Sequence, residues 1–168
     1  MTADPLILWV GRLTTNKDPL AVLDGFERAL TTLPHAQLVM IFGDDTLRDA
    51  VEQRLASSPR LRSTVVLVGR VDHHELAHYY GAADLFVSGS HYEGSGYALI
   101  EAMAAGLTPV VTDIPSFRVI AGSCAEYWPV GDPVALGHAL TAAAHGNREQ
   151  QRTATLQQFD THVSWTAI

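Results

Sequence analysis

His91-Tyr92-Glu93-Gly94-Ser95-Gly96-Tyr97-Ala98-Leu99-Ile100-Glu101-Ala102-Met103-Ala104-Ala105-Gly106 begins three residues after the end of a short apolar run, residues 84–88. Gly94 and Gly96 permit a tight turn in which a ligand can approach the backbone, and small apolar residues then take over. Strand, turn and helix in that order form one step of a parallel sheet covered by helices. The same alternation extends in both directions. Apolar runs read as strands at 6–10, 37–42, 64–68, 84–88, 109–112 and, more weakly, near 126–128, with helical patterns at about 18–32, 45–57, 73–82, 97–105 and 133–145. Asp18-Pro19 and Asp132-Pro133 each place an N-cap before a proline at the first helical position, and Asp72 with Glu75 resembles a capping box. The expected fold is α/β, a Rossmann-like open parallel sheet with helices on both faces.

The 168 residues suit a single domain, and 47% apolar against 17% charged residues exclude a disordered chain. Eleven Lys plus Arg against 18 Asp plus Glu leave a formal charge of −7, which argues against broad electrostatic capture of nucleic acid or of an anionic membrane. A bound anion must therefore be held by a few local cations. Cys124 is the single cysteine, which excludes an internal disulfide and a cysteine-based zinc cluster. No apolar run approaches the roughly 18 residues of a spanning helix, and the first residues lack the pattern of a signal peptide. These features point to a cytoplasmic protein with no transmembrane segment. The tail, 147–168, is polar and helix-prone until Trp165, where the sequence stops in what reads as the start of another element. A domain ending in mid-element is expected to belong to something longer.

In an open α/β sheet the ligand lies beyond the carboxyl ends of the strands. The loop after the first strand, Gly11-Arg12-Leu13-Thr14-Thr15-Asn16-Lys17, offers two cations five residues apart beside the helix that Asp18 caps. Backbone N–H groups and the helix dipole favour an anion there, and Arg12 with Lys17 supply the charge a diphosphate needs. The alternative is two solvated loop cations. After the fourth strand, the amides of Ser95, Gly96, Tyr97 and Ala98 open the next helix between two carboxylates, Glu93 and Glu101. Glu101 lies among Ala98, Ile100, Ala102, Met103 and Ala104, where a carboxylate needs hydrogen-bond donors, and a vicinal diol provides two. Otherwise it faces solvent or pairs with a structural cation. His74 and His78 share a helical face beside His73, but nothing in the sequence completes a metal shell. His91-x-Glu93 lacks the paired cysteines of a zinc deaminase, and the first loop lacks the Gly-x-Gly-x-x-Gly of a dinucleotide site. Cys124 reads as a small buried hydrophobe.

Gly11-Arg12 with Lys17, Glu93-Gly94-Ser95-Gly96-Tyr97 through Glu101-Ala102-Met103-Ala104, and Gly106-x-x-Pro109-Val110-Val111 together resemble the C-terminal, nucleotide-sugar-binding half of the retaining GT-B glycosyltransferases of family 4, also called group 1. The likeness runs from about Leu6 to His145 and includes the Glu-x7-Glu spacing of Glu93 and Glu101. It implies a hexosyl- or related transferase whose donor substrate is a nucleoside diphosphate sugar, with no cofactor and no metal. Glu93, Arg12 and Lys17 are the implied catalytic residues, the first meeting the donor sugar and the other two the diphosphate. Gly11, Val71, Gly94, Ser95, Gly96, Tyr97, Ala98 and Glu101 are the implied substrate-binding residues. Among these Glu101 meets the ribose, and Gly69-Arg70-Val71 borders the base. An N-terminal acceptor-binding domain is the implied partner, reached by the tail at 147–168, and any peripheral membrane contact would come through it. Alone, the domain is expected to be inactive. Two departures stand out: Ser95 replaces a common aromatic residue, and Asp113-Ile114-Pro115-Ser116-Phe117-Arg118 replaces a glycine-rich segment with a glutamate. A nucleotide-binding or regulatory module without turnover is the competing reading.

Overall fold

The computed structural model describes residues 4–164. Six parallel strands form one sheet: β1 (Leu6–Gly11), β2 (Gln37–Phe42), β3 (Val65–Gly69), β4 (Leu85–Ser88), β5 (Thr108–Thr112) and β6 (Glu126–Trp128), in the spatial order β3-β2-β1-β4-β5-β6. The helices are α1 (Pro19–Ala29), α2 (Arg48–Ala56), α3 (Pro59–Thr64), α4 (His73–Ala82), α5 (Tyr97–Ala104), α6 (Pro115–Ala121), α7 (Pro133–His145) and α8 (Arg148–Gln158), the last followed by a π turn at Phe159–Val163. All six expected strands are present to within a residue. Successive side chains on a strand point to opposite faces, so nearly continuous apolar strands feed two cores. Ile7, Trp9, Leu85 and Val87 pack with α1 and α7 on one side, whereas Leu8 and Phe86 pack with α5 and α6 on the other. The expected Rossmann-like sheet with helices on both faces is the one observed.

The proposed caps act as drawn. Asp18, Asp72 and Asp132 accept from the backbone N–H of Ala21, Glu75 and Ala135 at 3.2, 3.0 and 3.0 Å. Two short helices, α3 and α6, are absent from the sequence reading. Ser58-Pro59 starts α3 with the same device as Asp18-Pro19, the Ser58 hydroxyl accepting from the Leu61 N–H at 3.3 Å. Asp113 to Arg118, read as a departing loop, runs from the end of β5 into α6. The tail forms α8 from Asn147, whose side chain caps it through the Gln150 N–H at 3.0 Å. Trp165 lies outside the described residues. No helix among the described residues is long and apolar enough to cross a membrane.

Helices α1 and α7 meet through glycines. A Cβ at Gly25 would fall 2.5–2.7 Å from three side-chain atoms of Leu136, including its own Cβ. Gly25→Ala therefore sets two effects against each other. Helix propensity favours alanine by about 1 kcal/mol, while overpacking costs about 1–3 kcal/mol, with the upper end fitting an overlap that reaches Leu136 Cβ. The expected net loss is about 2 kcal/mol, or roughly 4–8 °C in Tm for a domain this size. A thermal melt showing equal or higher Tm would refute this packing account.

Candidate functional site

The strand order reverses between β1 and β4, so the loops that follow these two strands open side by side at the carboxyl edge of the sheet. Leu13, fully buried, anchors the first loop: its N–H donates to the Asp44 carbonyl and its own carbonyl accepts from Leu47, both at 2.8 Å. Asp18 ends that loop with φ of +44°, the one positive φ at a non-glycine among the described residues. Such a conformation costs energy and persists where surrounding contacts fix it. Here those contacts are its cap on α1 and a 2.8 Å link from Oδ2 to His91 Nε2.

Three consecutive residues of the first loop hold three consecutive residues of the second. The Asn16 carbonyl accepts from the His91 N–H at 2.8 Å, its Oδ1 accepts from the Tyr92 N–H at 3.1 Å, and its Nδ2 donates to the Tyr92 carbonyl at 3.0 Å. Lys17 Nζ donates to Glu93 Oε1 in an ion pair. Glu93 Oε1 also accepts from the Ser90 hydroxyl at 2.8 Å, and fully buried Ser90 is held in turn by Thr112, whose hydroxyl donates to its carbonyl at 2.6 Å.

These loops wall a cleft of about 510 Å³. Its apolar floor includes Val10, Ile41, Phe86 and Phe117, and its cations are Arg12, Lys17 and Arg70. Arg12 is exposed and, among the described residues, forms no ion pair. The Asp44 carboxyl is held below its usual range first by hydrogen bonds from Thr46 and further by the charge of Arg12. Arg70 donates to the Gly43 carbonyl at 3.1 Å. Opposite them α5 presents its N-terminus: Gly96 is the N-cap at φ +65°, and the first turn carries no acidic residue to compete for its N–H groups. A chain of net charge −7 thus gathers three cations and a helix N-terminus around one carboxylate, a setting suited to a polyanion joined to a hydroxylated group.

The sequence profile of the glycosyl transferases group 1 family matches residues 2–154. The chain belongs to that family. It is 30% identical over 158 residues to the GDP-mannose:cellobiosyl-diphosphopolyprenol alpha-mannosyltransferase of Xanthomonas campestris, covering 89% of this chain and 41% of that protein. It is also 38% identical over 168 residues to the glycogen synthase of Mycobacterium tuberculosis H37Rv, covering 96% and 40%. Among solved structures, a mutant of S. aureus TarM in complex with Fondaparinux, alpha-GlcNAc-glycerol and UDP shares the fold with a TM-score of 0.81 at 16% identity, over 95% of this chain and 32% of that one. Sucrose-phosphate synthase from Thermosynechococcus elongatus gives 0.78 at 26% identity, over 99% and 43%. The chain thus spans about two fifths or less of these relatives.

Within this group 1 domain, Gly11, Arg12, Lys17, Val71, Glu93, Ser95, Gly96, Tyr97 and Ala98 line the cleft. Gly94 and Glu101 do not. Gly94 is exposed in the turn, and Glu101, one helical turn beyond Tyr97, borders an adjoining hollow of about 370 Å³ that shares Leu76 with the cleft. There its Oε2 accepts from the Tyr80 hydroxyl at 3.0 Å. Sequence reasoning singled out neither Arg70 as a cation of the site, nor Asn16, Ser90 and Phe117. A proline at the start of α6 is the signal that would have turned Phe117 inward with helical phasing. Arg118 instead is spent locally, donating to both oxygens of Asp113 at 2.7 and 2.8 Å and lying 3.8 Å over the Tyr127 ring. Among the described residues no three His, Cys, Asp or Glu gather in a metal-holding group.

Proposed function

We propose that this chain is the donor-binding half of a retaining glycosyltransferase, taking a sugar from a nucleoside diphosphate sugar and passing it to an acceptor held by an N-terminal domain. The observation that carries this reading is the meeting of Lys17 and Glu93 beside the N-terminus of α5, with Arg12 and Arg70 on the same cleft. Cleaving the anomeric C–O bond leaves charge on the diphosphate and an oxocarbenium-like sugar, so catalysis rests on stabilising the leaving group and orienting the sugar. Arg12, Lys17 and the amides that follow Gly96 serve the diphosphate. Glu93 serves the sugar: Ser90 and Lys17 fix its carboxylate, which accepts from sugar hydroxyls. Glu101 serves the ribose from the next turn of α5. The hexosyl nature of the donor and the inactivity of the domain alone belong to the same proposal.

A thermal-shift panel of UDP, GDP and ADP sugars tests it. At 100 times its dissociation constant a ligand adds about 2.7 kcal/mol, worth roughly 5–11 °C at this chain length. One class of base is expected to give that shift. A panel in which no nucleotide sugar raises Tm would sink the donor-site reading.

A further inference from the structure

Tyr80 belongs to α4, its ring buried to 5% exposure, and its hydroxyl emerges in the hollow beside the cleft. It has two acceptors there, both on the first turns of α5: Glu101 Oε2 at 3.0 Å and the Ala98 carbonyl at 3.3 Å. One hydroxyl proton cannot serve both fully, and the shorter contact to the charged acceptor takes the larger share. Burial, reinforced by the neighbouring Glu101, pushes the Tyr80 hydroxyl well above its ordinary value, so it remains a donor. Among the described residues no cation pairs with Glu101 and no donor reaches its Oε1. A half-buried carboxylate with one neutral donor and one open oxygen is not the counter-ion of a structural cation, and it retains capacity for a ligand's hydroxyls.

We propose that Tyr80 is a positioning residue of the donor site: by holding Oε2 it fixes the carboxylate of Glu101, leaving Oε1 as the acceptor offered to the ribose diol. This rests on the donor-site reading above. The hydroxyl, rather than the ring, carries the role. Its deletion frees the Glu101 side chain to turn into solvent, and a ribose diol must then reorder it on binding.

Titration calorimetry of this chain with UDP and GDP, each beside its 2′,3′-dideoxy analogue, tests the assignment. The unsubstituted chain is expected to prefer the ribonucleotide. Tyr80→Phe is expected to weaken ribonucleotide binding about three- to ten-fold while the dideoxy analogue changes less than about two-fold, so that discrimination narrows as it does in Glu101→Gln. Equal losses for both nucleotides would make Tyr80 a packing residue and overturn the proposal. So would discrimination that narrows in Glu101→Gln but persists in Tyr80→Phe, a result that leaves the donor site itself standing. Absence of any preference in the unsubstituted chain overturns the ribose role of Glu101, and absence of binding overturns the donor site; either removes the assignment of Tyr80. Should Tyr80→Phe fail to fold, 3,5-difluorotyrosine at position 80 decides, since a stronger donor on the same ring is expected to widen discrimination, and unchanged discrimination overturns the proposal.

Discussion

Lys17→Ala is expected to lower affinity for a nucleoside diphosphate at least ten-fold, whereas Glu93→Gln raises it. The opposite signs follow from one contact: Lys17 is bound to Glu93, so the carboxylate competes with a phosphate for the ammonium. Removing the ammonium deletes a charge-assisted hydrogen bond worth about 1.5–3 kcal/mol, or about 10- to 150-fold. Removing the carboxylate's charge releases Lys17 and takes a repulsive partner from the diphosphate. Fold stability separates this from a structural role. In Lys17→Ala the Glu93 side chain, 14% exposed, keeps the Ser90 hydroxyl as its one partner among the described residues, and the loss of Lys17 costs about 1–3 kcal/mol. Adding Glu93→Gln should restore Tm without restoring affinity. Calorimetry in which the double variant recovers both would make the pair a structural bridge between the loops. With the sugar attached to the diphosphate, Glu93→Gln should bind less well than the diphosphate alone predicts, because the sugar hydroxyls lose their charged acceptor.

Gly96→Val should be the most damaging single change at the cleft. A left-handed backbone costs an L residue roughly 1–2 kcal/mol, more for a β-branched one, and a Cβ here would lie 2.7 Å from Ile120 Cδ1. The methyl end of Ile120 can yield, but φ cannot without turning the amides of Tyr97 and Ala98. The expected loss is about 2–4 kcal/mol of stability, with nucleotide affinity falling in the fraction that stays folded. Adding Ile120→Ala relieves the contact and leaves the strain. Asparagine, which tolerates this conformation, should recover more stability than that double variant. If Gly96→Val melts at the unsubstituted temperature and binds normally, the left-handed cap does not orient the site.

The sequence by itself determined what depends on neighbours a few residues apart. Aspartate before proline at 18 and 132, the alternating apolar runs and the Gly94-Ser95-Gly96 turn act locally, and they produced the caps, strands and helix N-terminus where they were read. The same signal was present for α3 in Ser58-Pro59, but six residues are too few for a helical period to register, and α6 follows Ile114 with no side-chain cap. Only the tertiary structure decided what depends on strand order. Burying both faces of the sheet places β4 beside β1, and this brings Asn16, Lys17 and Asp18 against residues about 75 positions later. The two carboxylates read as one pair face different surroundings for the same reason. Glu93 sits in the inter-loop seam with Lys17, while the helical rotation of α5 over eight residues carries Glu101 to the side where α4 lays down Tyr80. Spacing along a chain fixes the direction of a side chain on its own helix; which neighbour stands there is set by how the helices pack on the sheet.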